Sequence, residues 1–171
     1  MIIIAIANQR GGVGETTTAV NLSAALVRSK RRVLLVGLDA QGTATSHLQG
    51  AYGADGRVIY NVLMRQATLR QVIARTPPGV DLAPNNPSMS SLDSDIINEY
   101  RREERLKTAL EECDDNDYVM IDCPPQLATT TVAAFTAADA VLIPVEYKPE
   151  AWEAVPRLFF DIENPRRRWR R

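Results

Sequence analysis

Residues 8–18, Asn-Gln-Arg-Gly-Gly-Val-Gly-Glu-Thr-Thr-Thr, combine glycines, hydroxyls and charge in a spacing suited to holding an anion. Gly11, Gly12 and Gly14 let the backbone curl until successive N–H groups converge, and Val13 adds its own N–H to the curl. The loop follows an apolar run, residues 2–7, and precedes a segment with helical apolar spacing, so the positive end of a helix also faces the site. This strand-loop-helix setting disfavours the plainer reading, a glycine turn with no ligand. Thr16 and Thr17 open the helix, where a hydroxyl can serve a ligand, cap the helix, or do both. Glu15 opposes an anion site, because a carboxylate stands where a lysine would grip phosphate.

Two further acids end apolar runs: Asp39 after residues 33–38, and Asp122 after residues 118–121. A lone aspartate at a strand end is an ordinary turn residue, so only their joint placement with the glycine loop gives them chemistry. Cys113 and Cys123 lack metal or redox spacing and read as two reduced thiols, with Cys123 filling space beside Asp122. His47 is the only histidine and is assigned no role.

The elements that position these residues alternate in type. Residues 2–7, 33–38, 118–121 and 140–145 are short, nearly continuous apolar runs, as expected of parallel strands covered on both faces, and residues 80–83 are a weaker fifth. Helical spacing covers residues 16–28, with Val20, Leu22, Ala25 and Leu26 as a core side. It also covers residues 91–112, with Ile96, Ile97, Tyr100, Leu106 and Leu110 inward and an exposed Glu103–Lys107 pair. Residues 61–64 and 69–74 predict short helices, and residues 76–79 a loop. This alternation implies a doubly wound α/β sheet, with residues 2–7 and 118–121 central and the ligand at the carboxyl ends of the strands.

Residues 2–21 resemble the start of the ParA/MinD family of P-loop ATPases, whose loop reads KGGVGKTT where this chain reads RGGVGETT. Three further blocks resemble the family in order and spacing: RVLLVGLDAQG (residues 32–42), YVMIDCPP (118–125) and AADAVLIPV (137–145). The likeness runs to about residue 158 and is strongest to chromosome and plasmid partition ATPases of the ParA/Soj type. It implies a P-loop NTPase-like, three-layer α/β/α fold with a mainly parallel sheet, here lacking the family's C-terminal strands. It also implies ATP and Mg²⁺ as cofactors. Gly11, Gly12, Val13, Gly14, Glu15, Thr16 and Thr17 then surround the phosphates, Thr16 and Asp122 serve magnesium, and Asp39 is the water-positioning acid of the first switch. Arg10 matches the lysine that in the family crosses a dimer interface to the partner's phosphates.

Three departures weigh against catalysis. Glu15 replaces the loop lysine, Gly37 stands where the family has an acid, and Ala40 where it has proline. Exchanging +1 for −1 about 4 Å from a phosphate costs ~8 kcal/mol at an effective dielectric near 20. A third of that is about a hundredfold in affinity. Nucleotide binding is therefore expected to be weak or absent, with Arg10 either rescuing the site or pairing with Glu15 to close it.

The chain has 171 residues, with 20 basic and 21 acidic side chains. The five arginines among residues 166–171 account for much of the positive charge, and without them the balance is 15 against 21, net −6. Residues 1–164 are expected to form one shortened domain, and residues 165–171 a disordered basic tail. The tail is either a nonspecific DNA or anionic-surface contact, with Trp169 as a stacking anchor, or a solvated extension. No apolar run is long enough to cross a membrane, and a cytoplasmic protein is expected. Two classes of function follow. One is a partition ATPase acting as a homodimer, or beside an intact relative, with a ParB-like DNA-binding partner. The other is a non-catalytic binding or dimerisation module, or a degenerate remnant.

Overall fold

The computed structural model describes residues 1–50, 52, 55–113, 115–148 and 155–163. Six strands form one sheet: β1 (Ile2–Ile6), β2 (Val33–Gly37), β3 (Ala74–Arg75), β4 (Asp81–Ala83), β5 (Tyr118–Asp122) and β6 (Ala140–Leu142). Their spatial order is β3-β4-β2-β5-β1-β6, and every pair is parallel except β3 with β4. The helices are α1 (Glu15–Arg28), α2 (Thr43–His47), α3 (Ile59–Leu63), α4 (Leu69–Val72), α5 (Leu92–Asp95), α6 (Arg105–Glu111), α7 (Thr129–Ala137) and α8 (Val155–Glu163). Residues 165–171, the expected basic tail, lie outside the described residues.

The continuous apolar runs are explained by two cores, one on each face. Because side chains alternate across a strand, Leu34 and Val36 of β2 enter one core while Val33 and Leu35 enter the other. The same division separates Val119 and Ile121 from Met120 on β5, and Ile3 and Ala5 from Ile6 on β1. β5 and β1 lie inside the sheet, as their uniform apolarity predicts. β6 forms one margin, with Ala140 exposed and β1 as its only strand neighbour among the described residues.

On one face α1 packs against β2, β5 and β1. Its deepest line is Glu15, Ala19 and Ser23, spaced four apart, and the small side chains of Ala19 and Ser23 let the helix approach the sheet closely. Val20, Leu22 and Leu26, expected at the centre of that side, flank the line and are only partly buried. On the other face α7 lies among α6, β1 and the 3₁₀ turn Arg102–Glu104. Eight of its nine residues are buried, so it carries no polar stripe, and periodicity gave no sign of it.

The single helix expected over residues 91–112 is instead broken. A 3₁₀ turn (Pro87–Ser91) leads into α5, and the chain then loops to a second 3₁₀ turn and α6. Serines and aspartates offer the backbone local alternatives: Ser91 Oγ donates to the Ser88 carbonyl at 3.0 Å and to Asp95 Oδ2 at 2.7 Å, and Ser94 Oγ donates to the Ser91 carbonyl at 2.7 Å. Arg101 then adopts φ +52°, which no helix accommodates. Ile96, Leu106 and Leu110 are buried as expected, but Ile97 and Tyr100 are 57% and 82% exposed. Glu103 and Lys107 form no ion pair; Arg101 reaches Glu104 instead. The stretch 69–74 likewise divides, into α4 and the start of β3.

Candidate functional site

The glycine loop joins the carboxyl end of β1 to α1, and two of its residues take backbone conformations that side chains resist. Gly12 has φ +84°, and Gly14, which caps α1, has φ +95°. A Cβ at either position would meet nothing within 4 Å, so the left-handed backbone, not crowding, selects glycine there. Thr18 N–H donates to the Gly14 carbonyl at 2.8 Å and begins the helical ladder. Asn8 braces the loop: its Nδ2 donates to the Pro144 carbonyl at 2.8 Å, and its Oδ1 accepts from Arg10 N–H at 3.2 Å. The loop borders a pocket of about 250 Å³ lined by Gly11, Gly12, Gly14, Glu15, Thr16, Thr17, Asp39, Cys123 and Pro125.

Glu15 is the first residue of α1, where a carboxylate suits the helix dipole and so needs no other reason to be tolerated locally. In the pocket it has the opposite effect. The residue is 7% exposed, and its Oε1 is buried with no hydrogen-bond partner. Burial raises its pKa, opposed by its own backbone hydrogen bond and reinforced by the charge of Asp39.

Thr16 and Asp122, the two residues expected at magnesium, meet directly. The Thr16 hydroxyl lies 2.9 Å from Asp122 Oδ2 and 3.2 Å from Oδ1. Asp122 is 1% exposed, and burial pushes its pKa up to about 7, with Thr16 lowering it and Asp39 and Glu15 raising it further. A hydroxyl and a carboxylate are suitable hard oxygen donors for Mg²⁺. Among the described residues, however, no group of three or more His, Cys, Asp or Glu could hold a metal. The rest of the ion's shell would come from water and phosphate oxygens. The residues thus fit magnesium and the glycines fit phosphate, while Glu15 does not fit a triphosphate.

Asp39, two residues past β2, lines the pocket as well. Its Oδ1 accepts from Gln41 N–H at 3.0 Å, and its carbonyl accepts from Gly42 N–H at 3.0 Å and from Asn85 Nδ2. Neither Asn85 nor Thr45, to which it also bonds, was singled out from the sequence, because neither belongs to a local motif. Cys123 and Pro125 line the pocket as well. Burial drives the Cys123 thiol pKa upward, so it is a wall and not a nucleophile, as its lack of redox spacing suggested.

Arg10 and Val13 stand apart from the other expected residues. Arg10 is exposed, does not line the pocket and makes no ion pair with Glu15. A charge on an exposed loop is free to face solvent or another molecule, whereas pairing with Glu15 would require desolvating both. Val13 is half-buried and also lies outside the pocket lining.

Known proteins match both the sequence and this geometry. A family profile described as an AAA domain matches residues 1–171. The sporulation initiation inhibitor protein Soj of Bacillus subtilis is 44% identical over 159 residues, which cover 91% of this chain and 62% of that protein. The chromosome partitioning protein ParA of Caulobacter vibrioides is 40% identical over 168 residues, covering 96% and 63%. The chain therefore spans about three fifths of the length of these relatives. Among solved structures, cobyrinic acid a,c-diamide synthase from Mycobacterium smegmatis with a bound ATP analog and magnesium matches at 35% identity and TM-score 0.90, covering 95% of this chain and 67% of that one. A candidate plasmid partition protein from Borrelia burgdorferi bound to AMPPNP matches at 28% identity and TM-score 0.85, covering 95% and 68%. With its sheet order and glycine loop, the chain belongs to the ParA/MinD family of P-loop ATPases.

Proposed function

We propose that this chain is a ParA-type partition protein that has lost ATP hydrolysis because its phosphate pocket carries a carboxylate in place of a cation. One observation carries this reading: Glu15 lies at the head of α1, buried, lining the pocket, with Oε1 unpartnered. A triphosphate entering there meets Glu15 and Asp39 in the pocket wall without a lysine to offset them. The magnesium pair Thr16–Asp122 and the glycine cradle persist, so the site retains the geometry of a nucleotide pocket without its charge.

The same reading makes the protein a cytoplasmic, non-catalytic partner in a partition system. Arg10, exposed beside the pocket, is the residue offered to a second subunit, either another copy or an intact relative. A ParB-like protein is the protein partner, and the arginines of residues 166–171 supply nonspecific DNA contact.

Titration with magnesium and ATP, alongside a turnover assay, tests the proposal on the unmodified protein and on Glu15→Lys. The unmodified protein should show turnover at background, and Glu15→Lys should gain about a hundredfold or more in nucleotide affinity. Turnover in the variant should lag, because hydrolysis also requires Asp39 to be placed against the attacking water. Robust magnesium-dependent turnover by the unmodified protein would overturn the reading.

A further inference from the structure

We infer that Asn85 is the positioning residue for the Asp39 wall of the pocket, and that Gly37 is required because the Asn85 amide occupies the space beside it. Asn85 follows β4, is 2% exposed, and makes three hydrogen bonds, two to Thr45 of α2 and one to Asp39 of the β2–α2 connection. Its Oδ1 accepts from the Thr45 hydroxyl at 2.9 Å, its backbone N–H donates to Thr45 Oγ1 at 3.3 Å, and its Nδ2 donates to the Asp39 carbonyl. Asn85 thereby joins the end of β4 to α2 and to Asp39 within the β2–α2 connection.

The position of Gly37 makes this arrangement exclusive. A Cβ at residue 37 would lie 2.7 Å from Asn85 Oδ1, closer than real Cβ contacts come, and 3.1 Å from its Cγ. No larger residue fits at 37 while Asn85 holds its place. The absence of an acid at 37 is thus coupled to the presence of an amide at 85, two residues 48 positions apart that share one space. The Asp39 carbonyl accepts from both Gly42 N–H and Asn85 Nδ2, so the loop bearing Asp39 is held from within and from a neighbouring strand. A buried polar residue that bonds both Asp39 in the loop and Thr45 in the helix that follows it fixes the loop's geometry more than it contributes apolar packing.

The consequence for ligand rests on the pocket being the nucleotide site proposed above, and the test separates the two. Amide hydrogen exchange on the full chain is measured for Gln41, Gly42 and Thr45, with Val36 and Met120 as reporters of the sheet. Asn85→Ala should accelerate exchange at residues 41–45 by about tenfold, the equivalent of one lost hydrogen bond, and leave the sheet amides unchanged. Gly37→Ala, which displaces the amide, should reproduce that pattern. The double variant should be no faster than either single one, because a methyl group at position 37 fits once the amide is gone. Asn85→Asp keeps the shape and the Thr45 bond but loses the donor to Asp39, and it serves if Asn85→Ala fails to fold.

In the Glu15→Lys background, Asn85→Asp should weaken magnesium-ATP binding by about tenfold. Equal acceleration at Val36 and Met120 would reduce Asn85 to a general structural residue, and unchanged exchange at residues 41–45 would remove its positioning role. If Glu15→Lys binds no nucleotide, the nucleotide-site reading fails, and the exchange pattern still decides the role of Asn85.

Discussion

The Thr16 hydroxyl donates to Asp122, 2.9 Å from Oδ2, and so ties the first turn of α1 to the end of β5 across 106 residues of sequence. The tie is set by register: Ile6 pairs with Asp122, so the end of β1 and the end of β5 reach the same height, and the glycine loop continues from one beside the other. Both carboxylates of this corner, Glu15 and Asp122, are buried, and that fixes how stability depends on pH.

Stability should fall as pH rises through the range between the ordinary carboxylate value and neutrality. The folded pKa of Asp122, about 7, lies above its ordinary 3.8, so the folded state binds more protons between these values. The contribution is fully present below about 4 and is lost as pH rises through about 7. At 1.36 kcal/mol per unit its size is on the order of 4 kcal/mol, with Glu15 acting in the same direction. Chemical denaturation should give a higher unfolding free energy at about pH 5.5 than at about pH 8. Asp122→Asn, which keeps an oxygen acceptor for Thr16, should raise stability at the higher pH and remove most of the slope. A stability that climbs between those two conditions would contradict the burial of these acids.

Two arginine ion pairs should differ sharply in worth. Arg105 is 6% exposed, and its Nη1 donates to the Leu63 carbonyl at 2.7 Å while Nη2 reaches Glu99. Arg105→Ala leaves that carbonyl without its side-chain donor and removes a buried stem, at a cost of about 2–4 kcal/mol. Arg32 pairs with Asp117 at 3.3 Å but is 66% exposed, so Arg32→Ala should cost less than about 1 kcal/mol. Urea unfolding of the two variants checks the ranking, which an equal loss would refute.

DNA affinity, if carried by residues 166–171, should depend steeply on salt. Five arginines neutralising about five phosphates give a log–log slope near −4.5 on duplex DNA. Removing residues 166–171 should abolish binding and leave the thermal unfolding midpoint unchanged. Binding that survives the deletion, or none at low salt in the full chain, would deny the arginines that role.

The sequence by itself determined the strands, the glycine loop and the charge at its head. Residues 2–7, 33–38 and 118–121 read as strands because burial on both faces leaves little room for polar residues, and that requirement is written into each run locally. Glu15 was legible for the same reason, since its effect follows from its place in the loop. Tertiary structure decided what depends on distant partners. Residues 91–112 kept an apolar spacing that a helix would also satisfy, but local serine and aspartate bonds and the left-handed Arg101 broke it, leaving Ile97 and Tyr100 exposed. The helix α7 was hidden because a segment buried on nearly every side has no polar period to detect. Gly37 and Asn85 share a space only once β2 and β4 pair, with Val36 opposite Ala83. Short-range patterns report what a residue prefers; which side chains compete for one volume is fixed only when the strands are laid side by side.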